Sequence, residues 1–202
     1  MYGLLAVSRV IDRVTTVIGK SVAWLILAAI LVSAVNAVIR KVFSMSSNAW
    51  LELQWYLFGT AFMLAAAWTL LENEHIRIDI IYGRWSRRVQ HWIDLLGTLL
   101  FLLPFTAIMI WLVHPSLMRS WNAGEVSMNA GGLIIWPAKA ALLAGFILLY
   151  FQGLSELFKK IAVMRGLIPD PVSSQDSAHR EAELLTTGMQ DDRIDNTPES
   201  RK

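Results

Sequence analysis

The chain contains no cysteine. Disulfides, thiolate zinc sites and thiol nucleophiles are therefore excluded, and nothing about redox compartment follows. Charge is scarce as well. Asp, Glu, Lys and Arg make up 17% of the 202 residues against 55% hydrophobic, and the mean hydropathy is +0.47. A soluble domain needs more charge than this to cover its surface. Histidine is rare: His75, His91, His114 and His179 fall at span ends, in a loop or in the tail. A membrane b-type cytochrome needs histidines inside its helix bundle, so this placement argues against haem. No Ser/His/Asp grouping, HExxH motif or zinc ligand set can be assembled, and the chain does not read as an enzyme. No cofactor is expected.

Mid-membrane polar groups are scarce too. A stand-alone carrier normally holds ionisable groups near the bilayer centre, often on broken helices. Here Glu52, Glu72, Asp94, Lys139 and Glu156 all fall near interfaces. The membrane part reads as scaffold rather than pathway.

What is present is a set of long apolar runs. The fold class expected is an all-α integral membrane protein with four transmembrane helices, at about 21–39, 53–71, 92–113 and 135–158. Residues 53–71 carry no formal charge. Residues 1–20 are too polar to span. Val7, Val10, Ile11, Val14, Val17 and Ile18 recur there at helical spacing with Arg9, Asp12, Arg13 and Thr16 between them. That pattern predicts a cationic amphipathic lead lying on the membrane surface, and not a cleaved signal peptide. Pro104 predicts a kink in span three, and His114-Pro115 its end. Pro137 fits the first turn of span four. Small-residue stripes predict close helix approach: Ala29, Ser33 and Ala37, then Ala61 and Ala65, then Ala140, Ala141, Ala144 and Gly145. Asn36 beside the first stripe suits an interhelical hydrogen bond. Ser47 or Asn48 can cap span two. After Lys159-Lys160 the hydrophobicity stops, and residues 161–202 read as a polar, disordered tail.

Charge placement gives orientation. Residues 1–168 carry a net charge of +6 and residues 169–202 one of −4. With the N-terminus inside, ten Lys and Arg near the spans face the cytoplasm and four face out, so both termini are expected in the cytoplasm. The tryptophans gather toward the two predicted interfaces and read mostly as anchors.

The most specific stretch brackets span two. Asn48–Phe58 (NAWLELQWYLF) leads in, and Glu74–Tyr82 (EHIRIDIIY) leads out, followed by Arg87-Arg88 and Trp92–Gly97 (WIDLLG). With the four-span layout, these motifs resemble the small membrane subunit of the tripartite ATP-independent periplasmic (TRAP) transporters, the DctQ-like family, over about residues 15–165. Many members carry two adjacent acidic residues at the entrance; here Glu52 is followed by Leu53 and Gln54. The resemblance implies a bacterial inner-membrane protein that pairs with a large permease subunit, which carries the substrate and sodium sites. A periplasmic binding protein would deliver an organic acid, and a sodium gradient would drive uptake. The small subunit would brace the large one and help dock the binding protein. An autonomous four-span carrier and an assembly factor without a transport role are the alternatives.

The partner-contact residues expected are Asn48, Trp50, Glu52 and Trp55 at the outer end of span two, and Glu74, His75, Arg77 and Asp79 in the inner loop. On a helix Glu52 lies about 60° from Trp55 and about 160° from Trp50, which nominates the Trp55 side as the partner face. Glu52 also suits compensation of the helix dipole. Ile76, Ile78 and Ile80 alternate with the charges of the inner loop, as in a docked extended segment. The Gly- and Asn-rich loop 122–132 is a weaker docking candidate.

Overall fold

The computed structural model describes residues 2–44, 47–72 and 85–168. These form five helices: α1 (Tyr2–Phe43), α2 (Asn48–Leu71), α3 (Arg87–Gly97), α4 (Leu103–Ala123) and α5 (Trp136–Met164), with a π turn at Thr98–Leu102 joining α3 to α4. The only β pairing among the described residues is one antiparallel bridge, Val126 to Ile134. The chain divides into residues 1–161 and residues 162–202. In the second unit the described residues complete α5, whose last turn closes on Gly166 at φ 68°.

The expected helical class holds, but not all of its divisions. Three helical stretches are long and apolar enough to cross a membrane: Gly3–Phe43, Val89–Ala123 and Trp136–Met164. Of the four expected spans, the one in α2 is not among them. At 24 residues α2 is long enough, and no charged residue falls within residues 53–71. The expected division at residue 20 has no counterpart in the backbone either. α1 runs unbroken for 42 residues, about 63 Å at 1.5 Å per residue.

Side-chain pairing with α5 accompanies that continuity. In the first half of α1 the polar face is the packed one. Ser8 and Thr15 are buried, while Val7, Val10, Val14 and Val17 are exposed. Ser8 Oγ lies 2.5 Å from Ser155 Oγ of α5. The Asp12 carboxylate accepts from Ser155 Oγ at 2.7 Å and from Gln152 Nε2 at 2.9 Å, and it pairs with Lys159 at 3.1 Å. Lys159 also reaches Glu156 at 2.5 Å. Of the charges in this half of α1, Asp12 is thus satisfied by a neighbouring helix, while Arg9, Arg13 and Lys20 are exposed.

Elsewhere the small-residue stripes do what their size allows. A Cβ on Gly145 of α5 would sit 2.7 Å from Met63 Cβ and 2.9 Å from the Met63 carbonyl oxygen of α2. Ala29 and Ala61 are buried; Ala37 is exposed. Gly19 of α1 receives the Trp68 ring of α2, whose Cγ would lie 2.4 Å from an added Cβ. Trp68 is therefore a packing residue as well as a candidate anchor, and its Nε1–H donates to Glu72 at 3.0 Å.

Pro104, where a kink is expected, sits just past a π turn. It lacks the N–H that an α-turn would use, and the turn before it widens, so that Leu103 N–H donates five residues back to Thr98 O. Pro115 does not end the helix. α4 continues two further turns to Ala123 and stops at Gly124, φ 58° and ψ 37°, a left-handed cap. Val113 and Leu117 of α4 pack with Leu143 of α5 as the main buried cluster, and the Trp121 and Trp136 rings meet edge to face at 4.4 Å.

Candidate functional site

α2 begins after Ser47, an extended residue whose hydroxyl makes no capping bond. The Asn48 amide does not cap either. It donates at 3.0 Å to the carbonyl of Ala130, 82 residues along the chain. One turn later Glu52 turns toward the same segment and is 7% exposed. Its carboxylate accepts three bonds from the loop between α4 and α5: from Ser127 Oγ, from Asn129 Nδ2 at 2.7 Å and from the Leu133 backbone N–H at 2.7 Å. Glu52 is thus a clasp.

The loop is built to be clasped. Ser127 N–H donates to Leu133 O and Ile135 N–H to Glu125 O, each at 2.9 Å, which makes a minimal two-stranded turn around the Val126–Ile134 bridge. Successive side chains of an extended segment point to opposite faces. Ser127 points to Glu52, so Val126 and Met128 point away from it. Gly131 takes φ 70°. Gly132 leaves room for the carboxylate: a Cβ there would lie 2.6 Å from Ser127 Cβ and 3.0 Å from Glu52 Oε1. At the base, Lys139 donates to Glu125 at 2.7 Å and holds its carboxyl below the usual carboxylate range. A lowered carboxyl keeps the pair charged above that value, and the pair is lost only as pH falls through it.

The predicted contact residues therefore divide. Asn48 and Glu52 act on the chain's own outer loop. Trp55 is 71% exposed and Trp50 37% exposed. The outward face holding Trp55 continues through Phe58 and Phe62, at helical spacing three and four residues on, rather than through Glu52. Glu74, His75, Arg77 and Asp79 lie outside the described residues. Ser127, Asn129 and Gly132 were readable as loop chemistry, but nothing in the sequence joins them to a carboxylate 75 or more residues earlier. The inner seam of Asp12, Gln152, Ser155 and Lys159 left a trace: Ser8, Asp12 and Thr15 recur at helical spacing, as do Gln152, Ser155, Glu156 and Lys159.

No set of three or more His, Asp or Glu able to hold a metal gathers among the described residues. The arrangement braces helices and fixes a loop. The family model of the DctQ component of tripartite ATP-independent periplasmic transporters matches residues 29–163, more than half of the chain. No curated protein matches it.

Proposed function

We propose a function from one premise: the chain belongs to the DctQ family of tripartite ATP-independent periplasmic transporter components. It is the small permease subunit of a binding-protein-dependent uptake system, seated in the bacterial inner membrane with both termini in the cytoplasm. The family match carries this reading. α2 is the fourth span, between α1 and the α3–α4 rod. The chain braces a large permease subunit, helps dock the periplasmic binding protein, and leaves substrate and sodium sites to the larger chain. The uptake is of an organic acid, driven by a sodium gradient. Buried polar side chains at helix contacts and large apolar residues facing outward support a membrane brace.

Reconstitution tests this. In liposomes under a sodium gradient the chain alone is expected to move no organic acid. Together with its large subunit and loaded binding protein it is expected to support uptake. Sodium-driven uptake by the chain alone would replace the brace with an autonomous carrier.

The exposed row Trp55, Phe58 and Phe62 is the face assigned to the large subunit. Truncating a buried interface tryptophan commonly costs about 2 kcal/mol or more, whereas losing a lipid-facing ring costs far less. Trp55→Ala is therefore expected to lower the ratio of large to small subunit in a detergent pull-down more than Trp50→Ala does. A larger loss from Trp50→Ala would assign the face wrongly.

A further inference from the structure

We infer that α1 carries a binding site for an anionic phospholipid. Arg9, Arg13 and Lys20 hold the headgroup phosphate, and Trp24, Leu27 and Leu31 lie along the acyl chains. The inference needs α1 to cross the bilayer, as its length and composition allow, and is independent of the transporter reading. Three observations carry it. First, the six residues form one row. At 100° per residue they fall within an arc of about 60° around α1. All six are exposed. The packed side of the helix is the opposite one: Ser8, Thr15, Val22, Ala29 and Asn36 recur every seven residues and are all buried. Each of them lies about 120–180° from Lys20. The row therefore faces what surrounds the chain, not the chain itself.

Second, the charge of the row is uncompensated. Asp12 is the one acid of α1, and it is turned to Gln152, Ser155 and Lys159 of α5. Among the described residues no ion pair reaches Arg9, Arg13 or Lys20. Three cations in line with no acid beside them suit a phosphate, which arginine grips with two parallel hydrogen bonds. A headgroup with an amine of its own brings a further cation against the row. A headgroup whose phosphodiester stands alone does not.

Third, the order along the axis is that of a phospholipid. Arg13 and Lys20 are about 10 Å apart along the helix, within the reach of two long side chains converging on one phosphate. Trp24 follows about 6 Å deeper, where an indole marks the boundary between headgroup and hydrocarbon. It is 72% exposed. Below it the row turns wholly apolar with Leu27 and Leu31. The change from basic to apolar thus comes at one level, on the one side of α1 that is free to meet lipid.

The test uses the full chain in detergent, titrated with phosphatidylglycerol and with phosphatidylcholine, bound lipid being counted by native mass spectrometry. The expected result is tighter binding of phosphatidylglycerol, weakening as salt rises. Arg13→Gln should weaken that binding about fivefold, and Arg9→Gln/Arg13→Gln/Lys20→Gln by tenfold or more, at about 1 kcal/mol per charge. Arg13→Lys, which keeps the charge, should retain more of the preference than Arg13→Gln. Arg40→Gln/Lys41→Gln removes charges from the far end of the same helix and should leave the preference unchanged. Excess glycerol phosphate, a headgroup without tails, should displace little of the bound lipid.

Equal binding of the two lipids by the parent chain would overturn the inference. So would an equal loss from the Arg40 and Lys41 pair, which would reduce the row to general positive charge. Full displacement by glycerol phosphate would also overturn it, by assigning a site for a free anion. A chain that resists carbonate extraction from membranes yet shows no lipid preference would lose the inference alone and keep its place as a membrane protein.

Discussion

Gly145→Leu is expected to prevent α2 and α5 from packing, and to give a chain that expresses poorly and runs polydisperse in detergent. The reason is which atoms oppose the new side chain. Even a methyl group at this position meets Met63 Cβ at 2.7 Å and the Met63 carbonyl oxygen at 2.9 Å. A flexible side chain could swing aside; a helix backbone cannot. Overpacking commonly costs about 1–3 kcal/mol, and more when the backbone must move. Between membrane helices there is little hydrophobic force to offset that cost, because close packing is itself a main source of attraction. Gly59 of α2 is the comparison, since an added Cβ there meets nothing within 4 Å. Gly59→Leu should stay within about 0.5 kcal/mol of the parent, as open positions do. The measurement is the monodisperse fraction and thermal midpoint of the two variants. Equal behaviour would mean that the helices do not approach as described.

The second large effect is expected at Asp12. Its carboxylate gathers Gln152, Ser155 and Lys159 of α5. Asp12→Ala leaves those donors with fewer acceptors, although Glu156 still serves Gln152 at 3.1 Å and Lys159 at 2.5 Å. Leaving buried donors unmade costs about 1–3 kcal/mol, and the partial exposure of Asp12 and Lys159 puts the effect at the lower end. The first turns of α1 should then come away from α5. Ser8→Cys with Ser155→Cys reads this directly, because the two hydroxyls are 2.5 Å apart and the chain offers no competing thiol. Oxidation should join the pair in the parent and join it much less when Asp12 is alanine. Equal joining in both would show that the seam does not hold the helix.

How much of this was legible depended on distance along the chain. The apolar runs placed the helices because lipid-facing composition is a local property. Pro104 announced its irregular turn, and Gly145 its close contact, because the lost N–H and the missing side chain are also local. The family was legible in Asn48–Phe58 and in the helix layout. Three features were hidden. Glu52 read as a dipole charge or a partner contact because its acceptor role is defined by Ser127, Asn129 and Leu133. Asp12 read as unpartnered because the helix that satisfies it lies at the far end of the sequence. Pro115 read as a stop because proline ends most helices, yet the turns beyond it are held by the meeting of Trp121 and Trp136. In a membrane protein a polar stripe on a helix points to another helix as readily as to water, and an apolar stripe points to lipid.

The length of α1 has a mechanical consequence. A hydrocarbon layer about 30 Å thick takes up only some 26 residues of a helix tilted by 40°, the upper end of ordinary tilts. Of the 42 residues in α1, a third or more must therefore stand clear of the hydrocarbon. The charges at Arg9, Asp12, Arg13 and Lys20 put that overhang at the N-terminal end. The overhang is a stiff lever with its fulcrum at the bilayer surface. A 10° change of tilt swings an overhang of about 24 Å by about 4 Å at its tip, at the helical rise of 1.5 Å per residue. The polar seam with α5 makes the two helices swing as one. A small rocking of the membrane helices would thus reach the tip of the overhang as a displacement about the size of a side chain.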